Sequence, residues 1–435
     1  AYSATHRADL AEFGLRGALR DGRPAGVFEW AERGRTSRLA HRLVRPPADP
    51  ELAELLPRLR TTTRELEQAG AQGKPLGRLR HRQVELERRI RHRSRLPHAD
   101  VTGRPAEPVT PRELRAVLGE RALVEFVRLD GAVLALTLVD GRLRLHPLGD
   151  EAVLAGLLDR VPFALRQLGR SDGLDRSRLR AEALLRTTTA RLDTALLAPL
   201  GELGDRPLVV VPTGVLHSVP WSTLPSCVGR PVAVSPSATL WHAAATRSGE
   251  RTGAVAVAGG PGLAGAREEA LAVAAVHGAQ ALVDSAATVD AVLAALATAD
   301  TVHLAAHGTL SADNPLFSAV RLDDGPLLAH DVQGLERVPD TVLLAACDVG
   351  RSVVVAGHEL LGLSATFLER GTTALIAPVV PVPDAETTPL MIAVHRRLAA
   401  GAPPAAALAE AQREVAADGP ASTAAAAAFV CVGTG

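Results

Sequence analysis

Two apolar segments of the chain stop abruptly on side chains that do chemistry. Thr301-Val-His-Leu-Ala-Ala306 reads as a strand and ends on His307-Gly308; Thr341-Val-Leu-Leu-Ala-Ala346 reads as another and ends on Cys347-Asp-Val-Gly350. If the two strands are neighbours, an imidazole and a thiol project into one cleft. That pair suits acyl transfer, because the thiolate is the nucleophile and an adjacent imidazole lowers the thiol pKa and later protonates the leaving amine. The backbone amides of Gly308 and Cys347 would then donate to the oxyanion of a tetrahedral intermediate, glycine letting the substrate approach the main chain. A cysteine after an apolar strand is more often a small core hydrophobe, and a lone histidine is often structural. The pairing carries the reading.

A rigid scaffold has to present these groups. From 250 onward strand-like segments (253–258, 280–284, 301–306, 341–346, 373–380) alternate with helical ones (265–277, 288–298, 357–370, 385–400). Such alternation predicts an α/β sandwich, a mostly parallel sheet with helices on both faces and functional groups at the carboxyl edge of its strands. Upstream, Pro207-Leu-Val-Val-Val-Pro212 is a continuous apolar run of the kind buried between helical layers. Residues 122–129, 132–139 and 142–146 read as an antiparallel meander turned by Asp130-Gly131 and Asp140-Gly141. Helical periodicity returns over about 150–200.

The first hundred residues have another character. They read as helices over about 5–20, 25–44 and 50–95, with a break near Gly70 to Gly77. They hold 21 basic and 13 acidic side chains in a chain of zero formal charge. Arginines alternate with glutamates, as in Glu85, Glu87, Arg88, Arg89 and Arg91, and no aromatics interleave, which fits a solvated helix face and argues against nucleic acid. Pro97 to Pro111 reads as a linker. With 435 residues, 47% apolar, the chain has core enough for one large or two to three ordinary domains, and disorder is excluded as its main state. Its longest apolar run, Ala424 to Val432, falls short of the roughly 18 residues a bilayer crossing takes, so no membrane is expected. No basic-then-apolar leader opens the sequence at Ala1, and its three cysteines, Cys227, Cys347 and Cys431, are scattered. The expected setting is a reducing cytoplasm without a disulfide framework.

Other constellations compete for attention. Gly260-Pro-Gly262-Leu-Ala-Gly265 matches the dinucleotide pattern and has Asp284 19 residues beyond Gly265. Glu268 and Glu269 in the following helical turn would repel a pyrophosphate, so a structural turn is favoured. His303 and His307 are four apart, as metal ligands on a helix would be, but they lie on a strand, and a metal would consume the thiolate and imidazole. No metal or other cofactor is expected. His330 and His358 are alternative bases that follow no strand. Cys431 reads as core and Cys227 as a loop thiol without a base. Trp30, Trp221 and Trp241 read as packing residues. Ser218 and Ser222 lack a nucleophile elbow.

The chain resembles the CHAT domain, a bacterial caspase-like peptidase module often fused to tetratricopeptide repeats. The blocks that carry the resemblance occur in order: Leu208-Val-Val-Val-Pro-Thr-Gly-Val-Leu-His-Ser-Val-Pro-Trp221, Pro236-Ser-Ala-Thr-Leu240, Pro261-Gly-Leu-Ala-Gly-Ala-Arg-Glu-Glu-Ala270, His303-Leu-Ala-Ala-His-Gly308, Ala346-Cys-Asp-Val-Gly350, Glu359-Leu-Leu-Gly-Leu363 and Ala427-Ala-Phe-Val-Cys-Val-Gly433. His307 lies 40 residues before Cys347, near the caspase spacing of about 50. The resemblance implies a caspase-like three-layer sandwich preceded by an all-helical arm, with His307 as general base and Cys347 as nucleophile. It also implies Asp384 as a substrate-pocket residue at the lip of the cleft, where an N-terminal helix cap is an equal reading. Ala306, Ala345 and Val380 stand where the family usually has Thr, often has Ser, and has Trp nearby; these departures bear on substrate preference.

The implied organisation is a helical arm over 1–98, resembling the closing helices of a tetratricopeptide solenoid through Val27-Phe-Glu-Trp-Ala-Glu-Arg-Gly34, a supporting half over 99–250 and a catalytic half over 251–435. Earlier repeats are expected to precede the arm. The expected function is a cysteine endopeptidase acting on protein substrates, held in check by the repeats or by a regulatory protein that reorders the loops near Asp313 to Asp324. The alternatives are a non-catalytic caspase-like scaffold for protein–protein interaction and, behind it, a dinucleotide-dependent enzyme.

Overall fold

The computed structural model describes residues 2–39, 50–94, 107–169, 175–247, 249, 251–263, 265–311, 315–345, 362–380 and 384–435. Its strands are β1 (Ala122–Leu129), β2 (Ala132–Val139), β3 (Arg142–Asp150), β4 (Leu208–Val211), β5 (Val232–Val234), β6 (Val255–Gly259), β7 (Ala281–Leu282), β8 (Thr301–Ala305), β9 (Gly308–Thr309), β10 (Ala319–Leu322), β11 (Gly325–Leu328), β12 (Thr341–Ala345), β13 (Ala374–Pro378) and β14 (Phe429–Gly433). Eleven of them form one sheet in the order β3-β2-β1-β4-β5-β14-β13-β12-β8-β6-β7, and β11-β10-β9 form a small second sheet.

The meander β1-β2-β3 turns where the Asp-Gly pairs predict. Asp130 and Gly131, and again Asp140 and Gly141, both adopt positive φ, between 50° and 77°. Two consecutive positive φ values define the hairpin turn whose twist matches that of the flanking strands, and Asp-Gly tolerates them. From β1 toward β5 the sheet is parallel, and it is parallel again from β13 to β7; β14 runs parallel to β5 and antiparallel to β13, joining the two stretches.

In the middle of the sheet both faces are buried, which is why β4, β13 and β14 are apolar throughout. On β1 and β4, Val124, Phe126, Leu208 and Val210 face a cluster with the helices of residues 151–196, while Leu123, Val127, Val209 and Val211 face another with Leu15, Val27, Phe28 and Trp241. The result is three layers: helices, sheet, helices. Trp221 stacks on Phe126 with ring centroids 5.8 Å apart, in keeping with a packing role.

The amino-terminal helices Tyr2–Arg20 and Pro24–Leu39 are part of this body. Glu32, fully buried, accepts from Ala238 N–H at 3.0 Å and from Thr239 N–H at 2.7 Å, supplementing the Ser237 cap of helix Ala238–Ala245. Arg35 donates to the carbonyl of Pro212 at 2.8 Å and to the buried Glu125 carboxyl at 3.2 Å. Replacing Glu32 by alanine orphans the buried Ala238 amide and the half-buried Thr239 amide and is expected to cost about 2 kcal/mol, read by urea unfolding at neutral pH. Helices Pro50–Ala71 and Gly77–Ser94 form a second hairpin, seated on the small sheet. Most of the Pro97 to Pro111 segment lies outside the described residues, and the helix expected over 357–370 is described only from Leu363 to Arg370.

Candidate active site

Strand β8 lies between β6 and β12, hydrogen-bonded in parallel to both. The register with β12 is level: Thr301 pairs with Thr341, and the last pair is Ala305 with Ala345. His307 and Cys347 are each two residues beyond that last pair. Cys347 lies outside the described residues, so the described part of the site is built around His307.

His307 is half-buried, and its Nε2 donates to the carbonyl oxygen of Gly262 at 2.9 Å. A carbonyl only accepts, so Nε2 carries a proton, and in the neutral ring the lone pair sits on Nδ1. The loop that presents this carbonyl follows β6, the other neighbour of β8, and is anchored by Gly260 N–H donating to Ala305 O at 2.8 Å. On the opposite side Arg321 N–H donates to the His307 carbonyl at 2.8 Å, and Gly308 pairs with Val320. In an antiparallel ladder hydrogen-bonded and non-hydrogen-bonded pairs alternate, so bonding at His307 and Arg321 turns the Gly308 N–H away from β10.

The glycine-rich loop is thus explained without a dinucleotide. A Cβ on Gly260 would stand 2.2 Å from the Arg321 carbonyl oxygen and 2.7 Å from Ala306 Cβ, and Gly262 has φ +77°. Asp284, in the position of a ribose ligand, pairs with Arg267 at 3.0 Å, and Glu269 turns into the core. Gly260→Ala is expected to cost roughly 3 kcal/mol by forcing the loop off the end of β8, measured by denaturant unfolding.

Beneath the site runs a chain of polar side chains, buried at His303, Glu269 and His395 and half-buried at His277 and Thr388. Glu269 Oε1 meets His303 Nε2 at 3.0 Å, His303 Nδ1 meets His395 Nε2 at 3.1 Å, and His395 Nδ1 meets His277 Nε2 at 2.9 Å; Thr388 donates to the other Glu269 oxygen at 3.0 Å. Neutral rings with the proton on Nε2 satisfy every link, each donating toward the carboxylate. Burial, then the neighbouring His303, holds His395 well below the usual histidine pKa, and the same two causes lower His277. Both ring nitrogens of His303 are engaged, so it forms no metal pair with His307, and among the described residues no group of three His, Cys, Asp or Glu side chains gathers as a metal site. This network escapes sequence reading because its members are scattered along the chain.

Asp384 opens helix Asp384–Ala399, after the end of β13; its side chain is not among those the structure describes. His330 sits in the short helix Ala329–Gln333, and His358 lies outside the described residues. Cys227, read from the sequence as a loop thiol without a base, ends the short helical turn Pro225–Cys227 and is 1% exposed, and burial pushes its pKa up to about 12. Cys431, in β14, is core as expected, its thiol also pushed up by burial to about 12.

Comparisons with known proteins agree with this architecture. The chain is similar in structure to a separase–securin complex of Saccharomyces cerevisiae, with a TM-score of 0.55 and 9% identity over 76% of this chain and 32% of the other. A second structure of that complex matches with a TM-score of 0.50 and 8% identity over 94% of this chain and 36% of the other. The chain therefore spans about a third of the length of these neighbours. The fold is the caspase-like α/β sandwich, with a helical amino-terminal region. No curated protein matches in sequence. No helix among the described residues is long and apolar enough to cross a membrane. The CHAT domain model matches residues 186–434, more than half of the sequence, from the last helix before β4 through the end of β14. The chain belongs to the CHAT domain family.

Proposed function

We propose that the chain is a cysteine endopeptidase in which His307 and Cys347 form the catalytic dyad. The level register of β8 with β12 carries this reading: both residues follow the same last pair, Ala305 with Ala345, by the same two positions. The orientation of His307 supports it, since the proton on Nε2 is committed to Gly262 and Nδ1 is left as the base.

In the proposed cycle His307 Nδ1 takes the Cys347 thiol proton as the sulfur attacks a peptide carbonyl. The oxyanion accepts from the Gly308 and Cys347 amides, the C–N bond breaks as His307 returns its proton to the leaving amine, and water then hydrolyses the thioester. Asp384 is proposed to line the substrate pocket, and a protein substrate and a regulatory protein partner are proposed with it. Mapping new amino termini in a soluble proteome tests the reading. Wild-type chain is expected to produce a discrete set that the Cys347→Ala chain does not; the same set from both would overturn it.

A further inference from the structure

The hairpin of helices Pro50–Ala71 and Gly77–Ser94 covers the small sheet whose first strand begins directly after His307. Leu52, Leu55, Leu59 and Ile90 form an apolar cluster with Ala319 of β10 and Leu328 of β11. Within that contact Arg60 Nη2 donates to Asp331 Oδ1 at 2.5 Å, with side-chain exposures of 15% and 3%. The other oxygen, Asp331 Oδ2, accepts from Leu328 N–H at 2.9 Å, tying the end of β11 to the same carboxylate. At the β10–β11 turn, Gly325 has φ +141° and a Cβ there would lie 3.1 Å from Arg60 Cβ. Arg60 therefore grips the Leu328 end of β11 through Asp331 and lies close against its Gly325 end. Strand β10, paired along the length of β11, in turn binds the His307 carbonyl through Arg321 N–H and pairs with Gly308.

We propose that Arg60 is a positioning residue of the peptidase site, an inference that rests on the function proposed above. Through Asp331 it fixes the β10–β11 hairpin, and through that hairpin the main chain of the base and of the oxyanion donor. A buried arginine removed alone would leave a buried carboxylate unpaired, which destabilises for reasons unrelated to position. The informative variant is Arg60→Met combined with Asp331→Asn, which removes both charges while the asparagine oxygen still accepts from Leu328.

In this variant the thermal midpoint is expected to stay within a few degrees of wild type. Amide exchange at Arg321, whose N–H donates to the His307 carbonyl, is expected to quicken about tenfold while Val302 and Leu304 of β8 keep their rates. Peptide turnover is expected to fall by roughly 10- to 100-fold, with KM unchanged within about twofold. Unchanged exchange at Arg321, or an equal rise along β8, would overturn the proposal. Local quickening in a chain whose wild type cleaves nothing would uphold the coupling and sink the peptidase reading instead.

Discussion

Replacing His307 by alanine is expected to lower kcat/KM for peptide cleavage by on the order of 10³- to 10⁴-fold while the thermal midpoint stays within a few degrees. The two effects separate because His307 does little for the fold. It is half-buried, and among the described residues its side chain makes one hydrogen bond, to the Gly262 carbonyl, so the structural loss is about 1 kcal/mol. For the reaction it holds the lone pair that accepts the thiol proton. His307→Gln sharpens the test, since a glutamine amide can donate to Gly262 but supplies no base at neutral pH. Both variants should be equally inactive. A glutamine chain keeping more than a tenth of wild-type turnover would show that orientation, not proton transfer, is what His307 contributes.

A second large effect is expected in stability against pH. His395 and His277 have folded-state pKa values below their unfolded ones, so the unfolded chain binds more protons as pH falls through about 6.5. Their contribution is complete above that pH and declines below it, by about 1.4 kcal/mol per pH unit for one proton. His277, only half-buried, contributes less than His395 because water screens it. Glu125 and Asp331, whose pKa values burial raises, pull the opposite way, so the diagnostic is a difference. His395→Gln keeps a donor for His303 and an acceptor for His277 but does not titrate. Urea unfolding at pH 7.5, 6.5 and 5.5 is expected to show the wild-type advantage over this variant shrinking as pH falls. Parallel curves would contradict the assignment.

The sequence announces the meander, the alternation beyond 250 and the two chemistry-bearing strand ends because each has a local cause: Asp-Gly turns, period changes, apolar runs that stop on polar side chains. The small sheet β9-β10-β11 goes unread because β9 is two residues long and β10-β11 carry Arg321 and Pro326 where an alternating pattern is sought. The three-residue β5 and the alanine-rich helices Pro404–Val415 and Pro420–Ala428 are equally silent, being fixed by packing against β14 and its neighbours. At the site, His307 is legible and its clamp is not: a backbone carbonyl at Gly262 has no residue type of its own, and the glycines around it imitate a phosphate loop. The Glu269-His303-His395-His277 chain joins three helix or strand elements that only the tertiary fold brings together.

Coupling of the thiol to the imidazole is measured most directly by the pH profile of iodoacetamide alkylation at Cys347, in wild type and in His307→Ala. Cys227 and Cys431 stay silent near neutrality, their buried thiols ionising only at about 12. The wild-type profile should report a pKa well below the ordinary cysteine value of about 8.5, and the variant should return to it. Identical profiles in the two chains, or alkylation of Cys347 no faster than of the two buried thiols, would mean that ring and sulfur do not meet and that the domain is a scaffold.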